Sequence, residues 1–137
     1  MPADRGLIDE TKAWLTRAMM DIATGRFELT AVPPFTADAV FHAQQAAEKA
    51  MKGYLTWNGR TFRKTHSLVE LGEACTAIDP SLELLLRRAA PLTQYAWKYR
   101  YPGEPGQPSV LETEDALGTS QEVLAAILAR LPGAVQP

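Results

Sequence analysis

Phe41-His42-Ala43-Gln44-Gln45-Ala46-Ala47-Glu48-Lys49-Ala50-Met51-Lys52 carries the clearest helical pattern in the chain. Thr36 or Asp38 can cap the helix that contains it, and Asn58-Gly59 stops it. Val40, Ala43, Ala47, Met51 and Tyr54 recur along one face, flanked by Ala50 and Leu55. The alanines keep that face thin, so a neighbouring helix can approach closely. A second stripe holds Phe41, Gln45, Glu48 and Lys52, with His42 and Lys49 beside it. Glu48 and Lys52 stand in the favourable i, i+4 order.

Similar patterns flank this helix. Trp14, Leu15, Ala18, Met19 and Ile22 predict a first helix from about Ile8 to Ala23, which Gly25 ends or weakens. Pro33 and Pro34 forbid helix through the junction. Asn58 to Lys64 reads as a basic loop. Ser67 and Glu70 have capping-box spacing and open a short third helix carrying Leu68, Leu71, Cys75 and Ile78. Asp79-Pro80 reads as the start of a fourth helix that runs toward Tyr101 and kinks at Pro91. Pro102 to Pro108 is a loop. Ser109 and Glu112 open a last helix, about Val110 to Leu131, which Pro132-Gly133 ends. No segment alternates with period two, so no sheet is predicted. The expectation is an all-α, up-and-down helical bundle of about five helices, four long and one short. It forms a single domain over 1–137, with flexible tails at 1–6 and 132–137.

Composition narrows the function classes. A chain of 137 residues fits one domain. Its formal net charge of −2 gives no overall basic field, so any nucleic-acid contact must come from a local patch. The single cysteine, Cys75, excludes an internal disulfide and reads as a buried small hydrophobe in a reducing compartment. The polar N-terminus and the lack of a long apolar run predict a cytoplasmic protein with no membrane span. Phosphate-loop, Rossmann, HExxH and GxSxG patterns are absent. His42 and His66 are far apart in sequence and no cysteine pair supports them, so neither a metal site nor a cofactor is expected.

Three segments in order resemble the HEPN family: Phe41 to Lys52, then Lys64-Thr65-His66-Ser67-Leu68, then Tyr99-Arg100-Tyr101-Pro102-Gly103. The resemblance spans about Trp14 to Leu131. It implies a helical bundle, a homodimer, and association with a nucleotide or RNA. It also implies a small nucleotidyltransferase-fold partner in a toxin–antitoxin type system. RNase members of the wider family carry an Arg, four to six residues and a His near the start of a late helix. Here that region offers Arg100 and no later histidine, while Arg60 and His66, with five residues between, lie in the loop after the second helix.

The phosphate-binding candidates are Lys49, Lys52, Lys64, His66 and Arg100, with Tyr101 or Trp57 for stacking and His42, Gln45 and Glu48 as organising residues. Arg60 and Arg63 add charge to the loop, and the Ser67-capped helix start can offer N–H groups to an anion. Glu48 is expected to pair with Lys52, or with Arg100 across the bundle. His42 is expected to bond between helices. The simpler reading of Lys49 and Lys52 is a solvated helix face, that of His66 is a local cap, and that of Arg100 is a favourable charge at a helix C-terminus. Three functions remain open. The first is a protein that binds nucleotide or RNA with a nucleotidyltransferase partner. The second is a metal-independent ribonuclease with His66 as base and Arg60, Arg63 or Arg100 as cation. The third is a non-catalytic helical adaptor.

Overall fold

The computed structural model describes residues 4–103 and 106–137. Residues 104–105 of the predicted 102–108 loop and residues 1–3 of the predicted tail lie outside the described residues. The described chain is helical, with no strand among those residues. Five α-helices follow in order: α1 (Arg5–Glu28), α2 (Thr36–Trp57), α3 (Leu68–Ile78), α4 (Glu83–Ala89) and α5 (Val110–Leu128).

The central element is α2, packed against α1, α3 and α5. Ala39, Ala43, Ala46, Ala47 and Ala50 are wholly buried, as are Val40, Met51 and Leu55. The small side chains let α1 and α5 close on α2 from two sides, so its buried surface wraps well beyond one face. Burial of each large apolar side chain here contributes about 1.5–3 kcal/mol.

The helix ends show why the segments stop where they do. Phe35, rather than Thr36 or Asp38, is the N-cap of α2 and makes no side-chain cap bond. Its amide already donates to the Glu28 carbonyl (3.1 Å), which ties the start of α2 to the end of α1. Thr36 is buried, and its hydroxyl donates to Gln107 (3.4 Å). Asn58-Gly59 stops α2 as its composition predicts. Gly59 has φ of 68°, and its amide and that of Arg60 donate to Thr56 and Leu55, a Schellman closure. Ser67 and Ser109 accept from the amides of Glu70 (3.2 Å) and Glu112 (3.0 Å).

Several boundaries differ from expectation, each for a packing or backbone reason. Helix α1 continues past Ala23 to Glu28, because Gly25 is a buried contact point inside it rather than its end. A Cβ on Gly25 would sit 2.6 Å from a Leu117 methyl and 3.3 Å from the Ala39 carbonyl oxygen. The fourth helix does not reach Tyr101. A 3-10 turn over Pro80–Leu82 precedes the seven-residue α4, and a second 3-10 segment over Ala90–Ala96 follows it. Pro91 has no N–H to give the Arg87 carbonyl, so the chain tightens there instead of merely bending. Tyr99, with φ of 70°, then turns the chain away. Trp97, Arg100 and Tyr101 therefore share no helix face, and Arg100 sits at no helix C-terminus.

Both predicted tails are partly built into the fold. Arg5 and Gly6 belong to α1. Residues Gly133–Val135 form a 3-10 turn with Val135 buried, and the Gln136 side-chain amide donates to the Leu128 and Leu131 carbonyls. Cys75 is buried, as expected, and burial pushes its thiol up to about 12.

The start of the Pro80 turn is fastened to the end of α5. Asp79 accepts from the Ser81 amide (3.0 Å) and hydroxyl (2.7 Å) and from Arg130 (2.7 Å). The hydrogen bonds from Ser81, then Arg130, hold its carboxyl down at about 2. An unfolded aspartate titrates near about 3.9, so this link contributes fully above that pH and is lost as the pH falls toward about 2. Asp79→Asn is expected to flatten the stability–pH curve over that acid window, measured by urea unfolding. An unchanged slope would contradict the assignment.

Candidate functional site: a polar ridge on helix α2

Two clusters of polar side chains lie along α2. The first centres on Glu48, whose side chain is 5% exposed. Its carboxylate accepts from Gln44 (3.2 Å), Lys52 (3.0 Å) and His66 Nδ1 (2.7 Å). Gln44 also donates to the His66 carbonyl (3.1 Å), and Gln45 donates to Gln44 (2.7 Å). These bonds fix the Lys64–Leu68 turn to α2. The His66 side chain remains 60% exposed.

Lys52, a phosphate-binding candidate whose simpler reading is a solvated helix face, is buried. Its ammonium lies 5.6 Å from the Trp14 ring centre and 5.7 Å from that of Phe62, besides its bond to Glu48. Trp14 and Phe62 meet edge to face at 6.2 Å. The aromatic faces and one carboxylate together hold the charge out of water.

The second cluster lies nearer the start of α2. His42 Nδ1 donates to Asp21 of α1 (2.8 Å), the interhelical bond its position suggests. Lys49 holds the other oxygen of Asp21 (2.6 Å). His42 Nε2 lies 3.2 Å from Asp38 and 3.9 Å from Glu28. Arg100 is 3.6 Å from Asp38 and stacks on Phe41, 3.6 Å from its ring centre. Glu48 thus pairs with Lys52 and His66, and Arg100 pairs with Asp38.

Titration follows from this crowding. Burial first, and then Asp38, pushes the Glu28 carboxyl up to about 7. Asp38 is held below its ordinary value, chiefly by the hydrogen bond with Glu28, so the proton of the pair rests on Glu28. The bond to Asp21 raises His42, and Asp38 adds to the effect against burial.

The sites share one helix face. Phe41 and Glu48 are seven residues apart, about 10 Å along the axis. Arg100 from the 99–103 segment and His66 from the 64–68 turn therefore meet the same ridge. Other candidates stand differently. Lys64 and Tyr101 are exposed, and Lys64 has no ion pair among the described residues. Arg63 is paired with Glu70 (2.7 Å). At the start of α3 two amides are already taken, that of Leu68 by Thr93 (3.0 Å) and that of Glu70 by Ser67, so few remain to meet an anion. Lys49 borders a recess of about 680 Å³ with Lys12, Arg17, Met20 and Asp21.

Sequence reasoning missed Asp21, Glu28, Gln44 and the aromatic pair around Lys52. Asp21 carried a signal, because it stands three residues after buried Ala18, inside the stripe of α1 that faces the core.

The HEPN domain family model matches residues 11–131, and the chain belongs to the HEPN family. A solved structure similar to it is that of TT1696 from Thermus thermophilus. The two share 28% identity and a TM-score of 0.71, with 89% of this chain and 98% of that chain covered. A search of curated proteins finds no match.

Proposed function

We propose that this HEPN protein binds a nucleotide or a short single-stranded RNA along the α2 ridge, working with a small nucleotidyltransferase-fold partner in a toxin–antitoxin type system. The observation that supports this most is the exposed His66 ring, held at Nδ1 by the buried Glu48, on the same helix face as Arg100. The exposed edge of the His66 ring and the Arg100 guanidinium offer N–H bonds to phosphate, and exposed Tyr101 offers a face to a base. Lys64 and Arg60, on the loop before His66, add charge with no ion pair among the described residues. Lys49 and Lys52 act instead as struts, since Asp21 and Glu48 already hold them. Homodimerisation and a cytoplasmic location belong to the same reading. Among the described residues, no helix is long and apolar enough to cross a membrane.

Titration with ATP and with a short unstructured RNA tests this directly. His66→Ala and Arg100→Ala are each expected to weaken binding about tenfold, as loss of one charge-assisted bond predicts. Variants that bind as the parent does would remove the site.

The Glu48–His66 pair also favours a second reading, metal-independent RNA cleavage. A carboxylate that orients an exposed imidazole is the arrangement a general base requires, and Arg100 would steady developing charge. This reading expects EDTA-resistant cleavage that His66→Ala abolishes. Cleavage unchanged in that variant, or none in the parent, rules it out.

A further inference from the structure

Glu28, the last residue of α1, faces Asp38 and His42, which stand at i and i+4 on α2. One donor atom from each lies within 4.8 Å of the others. His42 Nε2 is 3.2 Å from Asp38 Oδ2 and 3.9 Å from Glu28 Oε1. Around a tetrahedral zinc ion with bonds of about 2.0–2.1 Å, donor atoms sit roughly 3.3–3.5 Å apart. The trio therefore needs only small side-chain shifts to close around an ion.

Two independent features point to a ligand at this place. Glu28 Oε1 is buried and takes no N–H bond, and its carboxyl is crowded against that of Asp38, a contact between two acids that a cation relieves. Asp21 accepts from His42 Nδ1, which leaves Nε2 turned toward the two carboxylates. A carboxylate behind a histidine is the usual means of orienting a metal-ligating imidazole. Arg100 takes the other oxygen of Asp38, Oδ1, leaving Oδ2 facing His42. Lys49 in turn steadies Asp21.

We propose that Glu28, Asp38 and His42 bind one divalent transition cation of the zinc type, with Asp21 as the residue that positions the histidine. One imidazole and two carboxylates suit zinc and its neighbours better than magnesium or calcium, which want more oxygen donors. Any proton carried by His42 Nε2 or by Glu28 leaves to the buffer as the bond to the ion forms. The two carboxylates then balance the two charges of the cation. Three protein ligands leave a further coordination position open. The sequence hid this site because its third ligand, Glu28, comes from another helix.

The chain has two histidines, so each ring can be followed separately in long-range proton–nitrogen spectra. The full chain, stripped with EDTA, is titrated with Zn²⁺ by calorimetry and by these spectra. One ion per chain is expected, with the His42 ring signals shifting and those of His66 unmoved. Glu28→Gln and His42→Ala are expected to bind at least about tenfold more weakly, and Asp21→Asn to weaken binding by a similar factor. Response at His66 instead of His42, no response at either ring, or parent-like binding by Glu28→Gln overturns the proposal. The spectra of the parent decide the matter even where a variant does not fold.

Discussion

Replacing Glu48 with alanine is expected to cost about 3–5 kcal/mol of stability, the usual penalty for stranding one member of a buried ion pair. Lys52 would keep its charge in a site 8% exposed, with only the Trp14 and Phe62 rings for company. Gln44 would lose one acceptor and keep the His66 carbonyl. His66 would lose the bond that fixes its ring. For a domain whose whole stability is about 5–15 kcal/mol, such a loss leaves a substantial unfolded fraction. Glu48→Gln keeps the shape and one acceptor and is expected to fall between the two. Lys52→Met removes the buried charge itself and is expected to cost much less than Glu48→Ala, because Gln44 and His66 still satisfy the carboxylate. Urea unfolding followed by circular dichroism gives these differences. A Glu48→Ala variant within about 1 kcal/mol of the parent would show that Lys52 reaches water.

Gly25→Val is expected to cost about 3 kcal/mol, at the upper end of ordinary overpacking. The first added carbon would stand 2.6 Å from a methyl of Leu117, itself wholly buried, and 3.3 Å from the Ala39 carbonyl oxygen. The leucine tip can turn aside from one added carbon, but the two further methyls of valine must enter the same buried space, and the Ala39 carbonyl cannot move without α2. Gly25→Ala meets the same first contacts but gains about 1 kcal/mol of helix propensity over glycine, so its net cost is expected to be small. The valine variant therefore separates the packing role from the propensity effect. Thermal and urea unfolding of the two variants beside the parent measure both. A valine variant as stable as the parent would mean that α1 does not press on α2 and α5 at this point.

Gly25 also illustrates how much of the fold is legible from sequence. Local chemistry can be read directly. The Ser67 and Ser109 caps and the Asn58-Gly59 stop follow from bonds within a few residues, the alanine face of α2 follows from helical periodicity, and the structure contains each. A glycine that ends a helix and one that admits a neighbouring helix look alike in one dimension. The difference lies in Leu117, far along the chain on the last helix. Pro91 poses the same difficulty in milder form. Its missing donor predicts a break but not whether the chain bends or tightens into a 3-10 segment, as it does.

For the ridge, the motif residues were legible and their partners were not. The 41–52, 64–68 and 99–103 segments do converge, since Glu48 holds His66 and Phe41 carries Arg100. Their charges are arranged differently from expectation. A lysine on a mixed stripe reads as solvated, yet Lys52 is enclosed by rings contributed from α1 and from the loop after α2. Lys49 and His42 are both spoken for by Asp21, a residue with no pattern of its own beyond its place in a buried stripe. The ridge is consequently a balanced network. Under the proposed function, phosphate is met at the exposed edge, by His66, Lys64 and the outer side of Arg100, rather than along the lysines of the helix.

Amide correlation spectra of the parent chain during titration with a short single-stranded RNA, and separately with ATP, map that edge residue by residue. The account predicts shifts concentrated at Gln45, at Lys64 to Ser67 and at Arg100 and Tyr101. Shifts confined instead to the groove between α3 and α4, at Gly72, Thr76 and Arg87, would contradict it.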